Sequence, residues 1–128
     1  MSPNKHRILY TEDHADTQEL VSFILNRLNY DVVITASSED ALRLAHEDRF
    51  DLYMLDARLP DGSGVDLCRS IREFDTATPI LFYSANAMDS EKRLALESGA
   101  QRYLTKPATP GELSGAISQL VARTKAAC

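Results

Sequence analysis

Short apolar runs alternate with longer amphipathic segments from one end of the chain to the other. The runs are too short for helices. They are rich in aliphatic, aromatic or β-branched residues, which is typical of buried strands in a parallel sheet. The predicted strands cover residues 7–11, 32–35, 51–55 and 80–83, with a fifth strand around 103–104.

The segments between the runs carry apolar residues at three- and four-residue spacing, which is the period of an amphipathic helix. Helices are predicted at about 15–28, from 37 onward, at about 65–74, at about 89–98 and from 109 onward. In the first of these, the stripe expected to face the core consists of Leu20, Val21, Ile24, Leu25 and Leu28.

Helix-terminal signals support these boundaries. Ser37 stands three residues before Asp40, which is typical of a helix start with an acid in its first turn. Thr109 stands three residues before Glu112, which is the spacing of a capping box. Gly99 is a natural residue just beyond a helix C-terminus. The alternation of strands and helices with short connections predicts an α/β fold in three layers, with helices on both faces of a parallel sheet. At 128 residues, the chain has the common size of one domain, expected to cover 1–128.

The central run is followed directly by a carboxylate, Asp56. Pro60, Gly62 and Gly64 then break regular structure and predict a loop. Open α/β sheets bind ligands at the carboxyl ends of their strands, so Asp56 is a candidate nucleophile. From this stretch alone, a simple role in capping the next turn is equally compatible.

Other polar residues follow the other predicted strands. Glu12 and Asp13 follow the first, Ser84 follows the fourth and Lys106 follows the fifth. The carboxyl ends of parallel strands share one edge, so these side chains are expected to converge on Asp56. Three carboxylates and one lysine leave a formal charge of −2, and oxygen ligands without histidine or cysteine suit Mg²⁺, with Mn²⁺ as the alternative. A metal, a lysine, a hydroxyl and a free carboxylate are the components of phosphoryl transfer onto aspartate.

Composition narrows the function classes. With 19 acidic and 14 basic residues and no basic block, nonspecific nucleic-acid binding is not expected. No apolar run is long enough to span a bilayer, and the N-terminus does not resemble a signal peptide, so no membrane association is expected. Cys68 and Cys128 have no disulfide or metal spacing, which favours reduced thiols in a cytoplasmic protein.

These residues together resemble the receiver domain of two-component response regulators, the family that includes the chemotaxis receiver. The resemblance covers essentially the whole chain and implies a flavodoxin-like, doubly wound, five-stranded sheet of order 2-1-3-4-5. Matched by position, it implies the following roles: Asp56 as phosphoacceptor, Glu12 and Asp13 as the metal-binding acids, Arg58 as a metal ligand through its backbone carbonyl, Ser84 and Lys106 as phosphoryl contacts, Tyr103 as the switching aromatic, and Lys106–Pro107 as a cis peptide.

The chain also departs from the family pattern. Its first acid is Glu12, where aspartate is more frequent, so the reach of that side chain differs. Arg58 and Asn86 flank the phosphoryl position, where family members vary, and are expected to modulate the lifetime of the phosphorylated state. His14 follows the acidic pair but is not expected to bind a hard cation such as Mg²⁺.

The resemblance implies a phosphorylation switch rather than an enzyme with a separate substrate. A histidine kinase or histidine phosphotransfer protein would phosphorylate Asp56, and the surface of the fourth helix, fifth strand and fifth helix would contact a downstream protein. One alternative is a receiver-like interaction module that works without phosphorylation. The other is an aspartyl-nucleophile phosphatase, but the related haloacid-dehalogenase-like enzymes carry a second aspartate where this chain has Arg58.

Overall fold

Five parallel strands form one central sheet in the computed structural model, which describes residues 5–126 and their side chains as far as residue 122. The strand order is β2-β1-β3-β4-β5, so the predicted α/β class, flavodoxin-like topology and strand order are all confirmed. The strands are β1 (Arg7–Thr11), β2 (Asp31–Thr35), β3 (Leu52–Leu55), β4 (Ile80–Ser84) and β5 (Arg102–Thr105).

Five helices cover the two faces of this sheet. Buried residues of α1 and α5 pack on one face, and those of α2, α3 and α4 pack on the other. No helix among residues 5–126 combines the length and apolarity needed to cross a bilayer. The helices are α1 (Ala15–Arg27), α2 (Ser38–Glu47), α3 (Gly64–Arg72), α4 (Asp89–Glu97) and α5 (Pro110–Ala126).

The predicted helix ends are confirmed where a cap is visible in the sequence. Ser37 accepts a hydrogen bond from the Asp40 amide, 3.2 Å away. Thr109 and Glu112 form a reciprocal capping box, with distances of 3.0 and 3.1 Å. Gly99 follows the last turn of α4 with φ +119°, a conformation that L side chains rarely adopt.

Two expectations about local structure are wrong. The segment after Asp56 is not simply a loop, because Arg58–Leu59 pairs with Gly62–Ser63 in a short antiparallel ladder before α3 begins. In α1 the apolar stripe is wider than the surface that the sheet covers. Val21 and Leu25 are buried, whereas Leu20 is 60% exposed and Leu28 is 38% exposed.

Candidate phosphoryl-transfer site

The carboxyl edge of the sheet brings the predicted site residues into one cleft of about 770 Å³. Parallel pairing aligns the ends of the strands, with Thr11 beside Leu55 and Ser84 beside Thr105. The residues immediately after these ends therefore face the same space. The predicted site residues that line the cleft are Glu12, Asp13, Asp56, Arg58, Ser84, Asn86 and Lys106.

Asp56 lines the cleft and is only 9% exposed. Its backbone amide donates to the Thr11 carbonyl, 3.2 Å away, which fixes the residue beside the end of β1. Its two carboxylate oxygens have different partners. Oδ2 accepts a hydrogen bond from Lys106 Nζ at 3.0 Å, and Oδ1 accepts a longer one from the Arg58 amide at 3.4 Å. The Oδ1 side is thus the more weakly bound and the more available for chemistry.

Glu12 is almost completely buried, with 1% of its surface exposed, and three donors hold its carboxylate. Tyr10 Oη donates to Oε1 at 3.1 Å, and the His14 amide donates to Oε2 at 3.1 Å. Lys106 Nζ also donates to Oε1. A buried carboxylate is stable only when it is paired and hydrogen-bonded in this way. By contrast, Asp13 is exposed to solvent at the cleft.

Lys106 bridges the two buried carboxylates, because its ammonium donates to both Glu12 and Asp56. Burial alone would lower the pKa of Lys106, but the hydrogen bonds and negative charges of these carboxylates outweigh burial and raise it above its ordinary value. The ammonium also lies 5.6 Å from the centre of the Tyr83 ring. The Lys106–Pro107 peptide is cis, as the resemblance implied.

Ser84, Asn86 and Tyr103 form a chain of contacts leading away from the cleft. Ser84 is 3% exposed, and its Oγ accepts a hydrogen bond from the Asn86 amide at 3.3 Å. Tyr103 Oη donates to the Asn86 carbonyl at 2.6 Å, and its half-buried ring stacks on Phe82 with an interplanar angle of 5°. The hydroxyl at the cleft and the aromatic on β5 therefore contact the same loop.

The segment after Asp56 is held close to the strand by Gly64. The Gly64 amide donates to the Ala57 carbonyl at 2.8 Å. A Cβ at this glycine would lie 2.1 Å from the backbone oxygen of Asp56 and 2.9 Å from the Phe82 ring, so no larger residue fits without displacing the backbone. Glycine is thus required for the close approach of the first residue of α3 to the Asp56 backbone. The Arg58 side chain is exposed at the cleft.

The donor set fits a hard divalent cation. Candidate ligand atoms of Glu12, Asp13 and His14 all lie within 4.8 Å of one another, and Asp56 lines the same cleft. Carboxylate oxygens are the ligands that Mg²⁺ prefers, and the exposed Asp13 retains free lone pairs. Glu12 has little free capacity, because three donors already occupy it. The exclusion of His14 remains a prediction, since its ring lies close enough to bind a softer metal.

Sequence reasoning missed three residues that shape the site. Tyr10 lies two residues before Glu12, a spacing that places both side chains on one face of an extended strand, so the signal was present. Gly64 was predicted only to help break regular structure after Asp56, so its close approach to the Asp56 backbone was missed. Asp61 was missed because its contact is distant in sequence. Its carboxylate accepts hydrogen bonds from the Ser38 and Glu39 amides at 2.8 and 3.0 Å, which ties the hairpin to the N-terminus of α2.

Comparison with known protein families and sequences agrees with this architecture. The family described as the response regulator receiver domain matches residues 8–118. The alkaline phosphatase synthesis transcriptional regulatory protein PhoP of Bacillus subtilis (strain 168) is 33% identical over 121 residues, which is 94% of this chain and 50% of PhoP. The chain spans about half the length of the curated relatives it matches.

Solved structures show the same fold. A CheY-like receiver domain protein from Methanospirillum hungatei JF-1 superposes with a TM-score of 0.93 at 23% identity, covering 98% of this chain and all of that one (100%). The receiver domain of the sensor histidine kinase PA1611 from Pseudomonas aeruginosa PAO1 has a TM-score of 0.87 at 30% identity, covering 92% of this chain and 98% of that chain. That structure has a magnesium ion coordinated in its active-site cleft.

Proposed function

The chain belongs to the response regulator receiver domain family of two-component systems, and we propose that it is a Mg²⁺-dependent phosphorylation switch whose phosphoacceptor is Asp56. Receiver domains are in general signal transducers rather than enzymes acting on separate substrates. The observation that carries this proposal is the Asp56 carboxylate. It is buried in the cleft, with Oδ2 bound to Lys106 and Oδ1 held only by the longer hydrogen bond from the Arg58 amide.

The phosphoryl group would come from a histidine kinase or a histidine phosphotransfer protein. An Asp56 oxygen attacks phosphorus, the bond from phosphorus to the donor atom breaks, and the leaving group departs with its electron pair. The product is an acyl phosphate on Asp56. Hydrolysis by water then returns the free carboxylate, so the domain acts only on its own phosphorylation state.

Asp13, Asp56 and the backbone carbonyl of Arg58 would hold Mg²⁺, with Glu12 as the remaining acidic neighbour. The cation, when bound, would neutralise negative charge that develops on the phosphoryl oxygens. Mn²⁺ has the same preference for oxygen ligands and would replace it. We expect Asp13 to contribute more to cation affinity than Glu12, because its carboxylate is exposed while the Glu12 carboxylate is already bound by three donors.

Ser84 and Lys106 would contact the new phosphoryl oxygens by charge-assisted hydrogen bonds. Ser84 is linked to Tyr103 through the loop of residues 85–88, here called the Asn86 loop. A shift of Ser84 would therefore change the hydrogen bond from the Tyr103 hydroxyl to the Asn86 carbonyl. This chain of contacts supports our proposal that the output surface is formed by α4, β5 and α5. We propose a downstream protein as its partner in the cytoplasm, with neither nucleic acid nor a membrane bound directly by these residues.

Labelling with a small phosphodonor tests the assignment of Asp56. Incubated with Mg²⁺ and acetyl phosphate, the protein is expected to gain the mass of one phosphoryl group, and Asp56→Asn is expected to gain none. Asp51→Asn is the matched control, because Asp51 lies at the opposite edge of the sheet, where it accepts a hydrogen bond from the Arg7 amide. Equal labelling of Asp56→Asn would place the nucleophile elsewhere. Absence of labelling in the unmodified protein would favour an interaction module that works without phosphorylation.

A further inference from the structure

The Tyr10 hydroxyl is buried beneath the cleft and bound to one of its carboxylates. Tyr10 lies on β1 with no exposed surface (0%), and its ring packs in the core between the sheet and helices α1 and α5. Its hydroxyl donates to Glu12 Oε1 at 3.1 Å. An apolar side chain would fill the same core position, so core packing alone does not account for a hydroxyl placed at this oxygen.

Glu12 Oε1 has two donors, and they differ in mobility. Lys106 Nζ reaches this oxygen from a flexible side chain that also binds Asp56 Oδ2 at 3.0 Å. The Tyr10 hydroxyl is attached to a rigid ring in a fully buried position. One donor can therefore leave Glu12 by side-chain rotation, whereas the other is fixed by the core.

A phosphoryl group on Asp56 would compete for the Lys106 ammonium. It brings a charge of about −1.5 to −2 to an oxygen beside Nζ, so the lysine would shift from Glu12 toward the new oxygens. Glu12 is 1% exposed and would have no solvent to replace the lost bond. An unsatisfied buried acceptor is costly, and more so when it is charged.

We propose that Tyr10 is a positioning residue of the phosphoryl-transfer site, whose hydroxyl keeps buried Glu12 hydrogen-bonded when Lys106 turns to the phosphoryl group on Asp56. This inference rests on the proposed function. It predicts that removal of the hydroxyl destabilises the phosphorylated form more than the unphosphorylated form. In the unphosphorylated form Lys106 remains on Glu12 and partly replaces the missing donor.

Beryllofluoride, a tetrahedral mimic of a phosphoryl group on a carboxylate, allows an equilibrium test. Its affinity is measured by titration calorimetry at fixed Mg²⁺ for the unmodified protein and for Tyr10→Phe, which keeps the ring and its packing. We expect Tyr10→Phe to bind beryllofluoride about fivefold more weakly, the factor that corresponds to one lost hydrogen bond. In a Glu12→Gln background, where no buried charge needs the donor, the same substitution is expected to change affinity less than twofold.

Tyr53→Phe is the matched control. Tyr53 is 1% exposed and also donates to a carboxylate, Asp75, but it does so at 3.0 Å on the other face of the sheet. It should lower thermal stability without changing beryllofluoride affinity. Equal affinities for Tyr10→Phe and the unmodified protein, or an undiminished effect in the Glu12→Gln background, would overturn the inference alone. If the unmodified protein and Tyr53→Phe both fail to bind beryllofluoride, the proposed function is overturned as well.

Discussion

At the scale of single residues, the cleft separates its acidic groups by exposure. Glu12 is buried and bound by the Tyr10 hydroxyl, the Lys106 ammonium and the His14 amide, whereas Asp13 is exposed to solvent and Asp56 is 9% exposed. Carboxylates that differ in this way have different capacities to bind an incoming cation or phosphoryl group. The extra methylene of Glu12 is consistent with its engagement by Lys106 rather than by solvent.

Arg58 is one of the two cleft residues that are expected to modulate the lifetime of phospho-Asp56. Its amide donates to Asp56 Oδ1, and its side chain is exposed at the cleft lip. The guanidinium is always charged and presents a planar fork of donors suited to phosphoryl oxygens. Asn86, on the other side, is held by its own loop, since its Oδ1 accepts a hydrogen bond from the Met88 amide at 3.1 Å.

The water that attacks phosphorus would approach between positions 58 and 86, where the Arg58 side chain would shield the phosphorus. We therefore expect Arg58→Ala to shorten the lifetime of phospho-Asp56 about threefold or more. The measurement is a chase after removal of the phosphodonor. Affinity for Mg²⁺ should hardly change, since only the backbone carbonyl at this position is expected to bind it. Arg69→Ala is the control, because Arg69 is an exposed arginine on α3 that pairs with Asp66. An unchanged or longer lifetime in Arg58→Ala would show that the side chain does not shield the site.

At the scale of elements, the connection from α3 to β4 depends on one carboxylate. Asp75 accepts hydrogen bonds from the Ala77 and Thr78 amides at 3.1 and 3.0 Å and from the Tyr53 hydroxyl at 3.0 Å. Burial would raise the pKa of Asp75, but these hydrogen bonds outweigh burial and hold its pKa below the ordinary value of 3.8. The Asp75 carboxylate thus holds the connection between α3 and β4 against Tyr53 of the sheet.

Asp75→Ala is expected to lower the free energy of unfolding by about 1–2 kcal/mol at neutral pH, measured by urea denaturation. A carboxyl whose pKa is depressed in the folded state stabilises the protein above its unfolded pKa, and this contribution is lost as the pH falls through the folded pKa. The difference between the two proteins should therefore be complete above pH about 5 and shrink below pH about 4. Tyr53→Phe, which removes one of the three donors, should have a smaller effect. A pH-independent difference would show that the carboxylate charge is not the cause.

Elements were predictable from the sequence where their determinants are local. The capping box at Thr109 and Glu112 and the position of Gly99 are contained within a few residues, and both predictions are confirmed. The hairpin after Asp56 was not predictable, because Asp61 fixes it through amides that lie more than twenty residues earlier in the chain. The exposure of Leu20 was also missed, because periodicity identifies an apolar stripe but not the width of the surface that covers it.

At the scale of the whole molecule, the convergence of the site was predictable because parallel strands align their carboxyl ends. Which end of α4 is held by its neighbours was not predictable from the sequence, because the contacts are distant along the chain. Arg72 on α3 donates to the Gly99 carbonyl through Nε and Nη2 at 3.1 and 2.9 Å, and its stem packs against Gly99. At the other end of α4, Met88 provides no side-chain cap and is 64% exposed.

This difference between the two ends of α4 predicts which backbone amides change their hydrogen exchange on phosphorylation. When Mg²⁺ and beryllofluoride are added, hydrogen exchange is expected to change at residues 85–92 and around Tyr103, which share the Asn86 loop. It should stay constant at 98–101, where Arg72 fixes the chain. Arg72→Ala should extend the change into 98–101, because the fixed end of α4 is then released, and Asp56→Asn should show no change anywhere. A uniform change in exchange along α4 in the unmodified protein would mean that the whole helix responds and that Arg72 does not hold its C-terminal end in place.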